Sequence, residues 1–285
     1  LQLFNTTDLS GRFSQAAGQA YSVDTNGQNV TFGTPLTSSG GSLTKTGAGT
    51  LTLPGNNTFS GATSVNAGTL LLSGTLSSSA VTVGSAGTLV SPGGTSGGFI
   101  GSSLSVSGTV APGGVGAVGK ITSQSLTLSS TGKSVFDIVG VVSGSNSVPG
   151  TAGTNYDQLV QQGGSLAYGG AMELNFSNTQ PFSNNASFTL FQFSGSQSGA
   201  FTGVTTTGSG DYAGLTFTRS PTDGIWYSPF ISATQQYLKF EPLTGQLVIV
   251  PEPSTMVMVA GFGLAALPLL RRRWARGRSS ASKSV

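Results

Sequence analysis

The sequence predicts an all-β protein: a parallel β-helix of about 20 residues per turn, then antiparallel strands, then one short C-terminal transmembrane helix. Three observations carry this. A Gly-Thr-Leu unit recurs at near-constant spacing. Apolar residues come in short alternating bursts between Gly, Ser and Asn turns. An uncharged apolar run ends against an arginine block at the C-terminus.

Composition narrows the classes. Charged residues are 7% of the chain and glycines number 44, a balance that can mean disorder. Apolar residues at 36%, in strand-like bursts, argue for a β-rich fold instead. The formal charge of +3 belongs to the tail. From Arg271 onward there are six Lys/Arg and no acid, leaving six Lys/Arg against nine Asp/Glu upstream, a net −3. No basic patch marks the body, so no nucleic-acid partner is expected. With no Cys, disulfides and thiol chemistry are excluded. The chain starts at Leu1 without Met or a signal peptide, and Leu1–Phe4 reads as mid-strand, so a mature form or fragment is expected.

Residues 1–42 are expected to form an N-terminal β segment, the truncated first turns of the solenoid. Ala20–Val23 and Asn29–Phe32 are strands, with turns at Thr25–Gly27 and Ser38–Gly41. The repeat region spans residues 43–186. Ala48-Gly-Thr-Leu-Thr-Leu53 returns as Ala67-Gly-Thr-Leu-Leu-Leu72, Ala86-Gly-Thr-Leu-Val90 and Ser107-Gly-Thr-Val110. Gly49, Gly68, Gly87 and Gly108 are thus 19, 19 and 21 residues apart. A lone unit cannot bury its inner face; stacked units can. Leu51, Leu70, Leu89 and Val110 are predicted to form an inner ladder, under an outer face of Thr, Ser and Asn. Gly49, Gly68 and Gly87 are predicted to turn corners with φ > 0.

Leu43-Thr-Lys-Thr-Gly-Ala-Gly-Thr-Leu-Thr-Leu53, with Asn57-Thr-Phe-Ser-Gly61 and Thr63-Ser-Val-Asn-Ala-Gly-Thr-Leu70, resembles the autotransporter-associated β-strand repeat. The resemblance is strong over 43–74 and looser over 75–135. It implies a β-helical passenger of a secreted or surface protein.

Residues 187–250 carry longer aromatic strands, such as Phe188–Phe193, Tyr237–Phe240 and Gln246–Val250. Glu241-Pro-Leu-Thr-Gly245 is a hairpin turn between the last two. The whole stretch is predicted to be antiparallel and to close an end of the solenoid that would otherwise expose strand edges.

The tail, 251–278, has three parts. Pro251 and Pro253 hold their neighbours extended and withhold N–H donors, so a segment outside any ladder is expected. Met256 to Leu270 are 15 uncharged residues, about 22 Å as a helix against a hydrocarbon core of about 30 Å. Arg271, Arg272, Arg273, Arg276 and Arg278 would anchor the cytoplasmic side. Residues 279–285 are expected to be a disordered tail. This order resembles the PEP-CTERM sorting signal of exopolysaccharide-producing Gram-negative bacteria. The resemblance implies an exosortase that recognises Pro251, Glu252 and Pro253 and releases the body from its helix. It implies an inner-membrane intermediate, then the cell surface or the extracellular matrix.

Other motifs point more weakly. Gly114-Val-Gly-Ala-Val-Gly-Lys120 satisfies both G-x-G-x-x-G and G-x-x-x-x-G-K, but Ile121 supplies no hydroxyl and a strand follows where phosphate binding needs a helix. It reads as a solenoid turn. Asp137, Asp157 and Glu173 are spaced to line up on one face, as glycan-cleaving β-helices require, yet no His and little basic character surround them. Asp137 then reads as a solvated strand residue and Tyr156-Asp157 as a turn cap. Trp226, Tyr227 and Phe230 suit sugar stacking, but core is the commoner fate of such aromatics. No metal or cofactor is expected. The leading expectation is a non-enzymatic exported structural protein whose partners are the exosortase and membrane, transiently, and exopolysaccharide or other matrix proteins. An adhesin-type polysaccharide-binding module and a β-helix lyase or hydrolase are the alternatives.

Overall fold

The computed structural model describes residues 1–252. Its elements are β-strands apart from a 3-10 turn at Ser10–Arg12. Among the described residues no helix is long and apolar enough to cross a membrane. The expected helix Met256 to Leu270, its arginine anchor and the tail 279–285 lie outside the described residues.

The strands form three parallel ladders, visited in a fixed order. The first contains Ala20–Asp24, Ser42–Thr46, the N-terminal parts of Thr63–Leu72 and Val81–Val90, the C-terminal parts of Gly98–Val106 and Lys120–Leu128, then Leu166–Tyr168 and Gln197–Gly199. The second contains Val30–Thr31, Thr50–Leu53, the C-terminal parts of Thr63–Leu72 and Val81–Val90, then Thr109–Ala111, Lys133–Ile138, Ala171–Phe176 and Gly203–Gly208. The third runs from Asn56–Asn57 and Thr75–Leu76 through the N-terminal parts of Gly98–Val106 and Lys120–Leu128 to Gln158–Gln161 and Phe191–Phe193. Passing first to second to third and back again is the winding of a β-solenoid, in agreement with the fold class expected.

The inner ladder is the predicted one. Leu51 faces Leu70, Leu70 faces Leu89, and Leu89 faces Val110, all fully buried. Alternation explains this. Successive side chains point to opposite faces, so in-register stacking puts every second residue inside. Gly49 and Gly68 have the expected positive φ, 88° and 65°. Gly87 does not. It lies inside the continuous strand Val81–Val90, where a Cβ would come within 2.1 Å of the Val65 carbonyl oxygen. Close backbone approach at the corner, not handedness, demands glycine there.

Two further expectations are corrected. The period near 20 fails after the fourth repeat. Phe136 faces Leu174, a step of 38, because the chain leaves the coil for a hairpin, Val141–Ser143 with Asn146–Val148. Leu159 faces Phe191, a step of 32. The stretch 187–250 is also not wholly antiparallel. Phe191–Phe193, Gln197–Gly199 and Gly203–Gly208 add one more parallel turn. The antiparallel sheet has the order Ser187–Thr189, Gln246–Pro251, Gln236–Glu241, Trp226–Tyr227, Thr218–Arg219. Period-2 alternation is identical in parallel and antiparallel strands, so it could not separate the two.

The end of the coil is covered on two of its ladders. Thr216 bridges Thr205 antiparallel, with Phe217 N–H donating to Val204 O at 2.9 Å. The hairpin turn at 241–245 forms as expected, and Gly245 O accepts N–H groups from Leu190 and Phe191 at 3.0 and 3.1 Å. Replacing Leu70 by Ala should lower stability by about 2–5 kcal/mol, read as a shift in the denaturation midpoint. A cost below about 1 kcal/mol would mean that the inner ladder is loosely packed.

Candidate functional site

The glycine-rich loop and the acidic residues, separate in the sequence, meet in space. Gly113, Gly114 and Gly116 hold φ of 79°, 81° and 86°, and the loop leads into the strand Lys120–Leu128. Two carboxylates hold it. Asp137 Oδ2 accepts the Gly116 N–H at 2.8 Å, and Asp157 Oδ1 accepts the Gly119 N–H at 2.6 Å. The two acids are also clamped together: Asp157 Oδ2 accepts the Asp137 N–H at 2.8 Å, while Asp157 N–H donates to Asp137 O at 2.9 Å. Asn175, facing Asp137 on the next turn, donates to Asp137 Oδ1.

Asp137 does not have the environment expected of it. Asp137 is 2% and Asp157 0% exposed, so Asp137 is not solvated. Burial pushes both carboxyls up, Asp157 to about 9, against the opposing pull of the N–H groups each accepts. Glu173 lies on the strand beside Asp137 but two residues out of register with it, and pairs with Lys133 at 2.8 Å. A glycan-cleaving pair needs carboxylates that reach a substrate and a water. Here the carboxylate oxygens are occupied by the chain's own donors. The same bonds occupy the loop N–H groups that a phosphate would need.

The aromatic trio divides. Trp226 is buried with its Nε1 unpartnered, Tyr227 packs 6.0 Å from Tyr237, and Phe230 is 47% exposed. Among the described residues no group of three or more acids, His or Cys is placed to hold a metal. Of the sorting motif, Pro251 is the last residue of a strand and faces Gln236, so it belongs to the ladder, contrary to expectation. A residue at a strand end on the sheet margin gives up no interior bond by lacking N–H. Glu252 is exposed, and Pro253 lies outside the described residues.

One buried charge escaped the sequence reading. Lys45 occupies an inner position between Val23 and Val65 and is fully buried. Its ammonium donates to the carbonyls of Thr46, Gly47 and Ala67 at 2.9, 2.7 and 2.9 Å, tying two successive corners together. Burial pulls its pKa down to about 8, with Asp24 acting the other way. The signal was available: in Leu43-Thr-Lys45, alternation puts Lys45 on the same side as Leu43.

Residues 43–72 match the passenger-associated transport repeat family. The matched stretch covers adjacent turns of the first and second ladders and one strand of the third, and contains Lys45, Gly49 and Gly68. That stretch is similar to repeats of transported passenger proteins. No curated protein matches the chain.

The acidic clamp sets a pH dependence. Folded Asp157 keeps its proton to about 9, whereas an unfolded Asp loses it near 3.8, so the fold binds more protons across that interval. Stability should therefore fall as pH rises from about 4 towards about 9. In Asp157→Asn the slope should flatten, with a loss of about 1–3 kcal/mol at pH 5 because one N–H then faces an amide NH₂. Urea midpoints at several pH values test this; an unchanged slope in the variant would remove Asp157 as its source.

Proposed function

We propose that this is an exported, non-enzymatic structural protein of the cell surface or extracellular matrix, with the solenoid as its body. The single observation behind this is the passenger-type repeat at 43–72, set in a coil whose outer face is a regular hydroxyl row. On the first ladder Ser22, Thr44, Ser64, Thr82, Ser105 and Thr127 stack in register, all solvent-accessible, followed by Ala167 and Ser198. Strands stand about 4.8 Å apart, so the row offers hydroxyls at that interval. Each contact with a polysaccharide hydroxyl would be weak. Many in line reinforce one another through effective concentration.

Sorting follows from the tail in this reading. The segment Pro251-Glu252-Pro253 is the recognised stretch, Met256 to Leu270 the transient membrane helix, and Arg271, Arg272, Arg273, Arg276 and Arg278 its cytoplasmic stop. The helix is short for a bilayer, which suits a segment held only until an exosortase acts. A cut beyond Pro251 would leave the Gln246–Pro251 strand whole.

Two measurements check the proposal. The intact mass of protein recovered outside native cells should place the C-terminus near Pro251–Pro253; a mass that retains Arg271–Val285 would make the helix a permanent anchor. The triple variant Thr44→Val, Thr82→Val, Thr127→Val should fold normally and be retained several-fold less on purified matrix polysaccharide. Equal retention would sink the role given to the hydroxyl row.

A further inference from the structure

Away from the clamp and the hydroxyl row, a polar cleft of about 270 Å³ opens where three segments converge. Asn146 comes from the hairpin, Pro181, Ser183 and Asn184 from the following loop, and Thr234 and Gln236 from the approach to the penultimate strand. Among the described residues, none that lines it is charged.

Its walls are fixed. Ser147 N–H donates to Pro181 O at 2.7 Å and Ser183 N–H to Ser147 O at 2.8 Å, joining the hairpin to the loop. Beneath lies a closed network. Phe182 N–H donates to the Tyr212 hydroxyl and that hydroxyl to Gln236 Oε1, both at 2.7 Å. Gln236 Nε2 donates to Phe182 O and Asn184 Oδ1, both at 2.8 Å. Such a satisfied network holds its members in one arrangement.

Above this floor, polar capacity is left over. The Asn184 amide accepts from Gln236 and keeps its own NH₂ donors. The Asn146 side chain, exposed on the opposite wall, has its amide free as well. Next in sequence to lining residues, Asn185 and Gln235 have left-handed backbone, φ 64° and 56°. Strain of this kind persists where surrounding structure imposes it, commonly at ligand sites.

We propose that this cleft binds one residue of a neutral polysaccharide. An ionic ligand would find no opposite charge in the lining, and an apolar one would strand the Asn146 and Asn184 amides unpaired. A neutral sugar offers hydroxyls to both amides and to Ser183, and a ring face to Pro181. The proposal rests on the matrix reading for its class of polymer, but not on the hydroxyl row.

The test is titration of the full chain with soluble neutral hexasaccharides (cellohexaose, laminarihexaose, maltohexaose and mannohexaose), followed by calorimetry and by amide shifts. At least one should bind and perturb the amides of residues 182–184 and 234–236. Ser183→Ala and Asn146→Ala should each weaken it by up to about tenfold, one hydrogen bond's worth. Both keep the floor network, and melting temperatures check their folding. No binding by any of the four overturns the proposal. So does tighter binding of an anionic oligosaccharide such as a hexagalacturonate, or binding unaffected by both substitutions. Loss of polymer retention in the triple Thr→Val variant, with hexasaccharide binding intact, would separate this site from the row.

Discussion

Everything in the body depends on in-register parallel stacking. A turn of this coil has too little apolar surface to bury by itself. It becomes stable only when each inner side chain is roofed by one of similar size on the next turn and each strand edge is met by another. Leu51, Leu70, Leu89 and Val110 show the first requirement, and the three continuous ladders show the second. Register is therefore strict. A slip of one residue would bring Thr44 or Ser64 inside and put Leu43 outside.

The corners set the second constraint. Ladders bend there at distances that admit no side chain, so glycine recurs for steric reasons that differ from corner to corner. A Cβ at Gly68 would lie 2.5 Å from Gly47 O, and one at Gly108 would lie 2.1 Å from Gly84 O. Lys45 answers the same crowding differently. Where corner carbonyls point inward, its ammonium supplies the three donors they lack. The Asp137–Asp157 clamp is the mirror case, with carboxyl oxygens supplying acceptors for inward-pointing N–H groups of the 113–119 loop.

How far the sequence discloses this follows from which interactions are periodic. The inner leucines were legible because their spacing repeats, and the hairpin at 241–245 because its turn residues are local signals. The steps of 38 and 32 were not, since an excursion such as Val141–Val148 has no repeat to betray it. Asp137 and Asp157 do meet, but across the antiparallel Ile138–Tyr156 bridge and not on adjacent turns, where Asp137 faces Asn175, so their 20-residue spacing was not the reason. What occupies their oxygens was hidden, because Gly116 and Gly119 belong to a loop outside the repeat. The cleft draws on segments as distant as Asn146 and Gln236, a convergence that no local pattern encodes.

The covering of the last turn by Gly245 and by Leu215–Phe217 also bears on how such a chain can lengthen. A new turn added beyond Gly203–Gly208 would have to displace both covers and lose their hydrogen bonds. A turn inserted between Ser42 and Val90 would meet near-identical neighbours above and below, with the same inner leucines and the same corner glycines. Duplication is thus structurally silent in the middle of the coil and disruptive at this end. The most regular units are found where copying a turn costs least, and the irregular ones have accumulated beside the end that cannot grow.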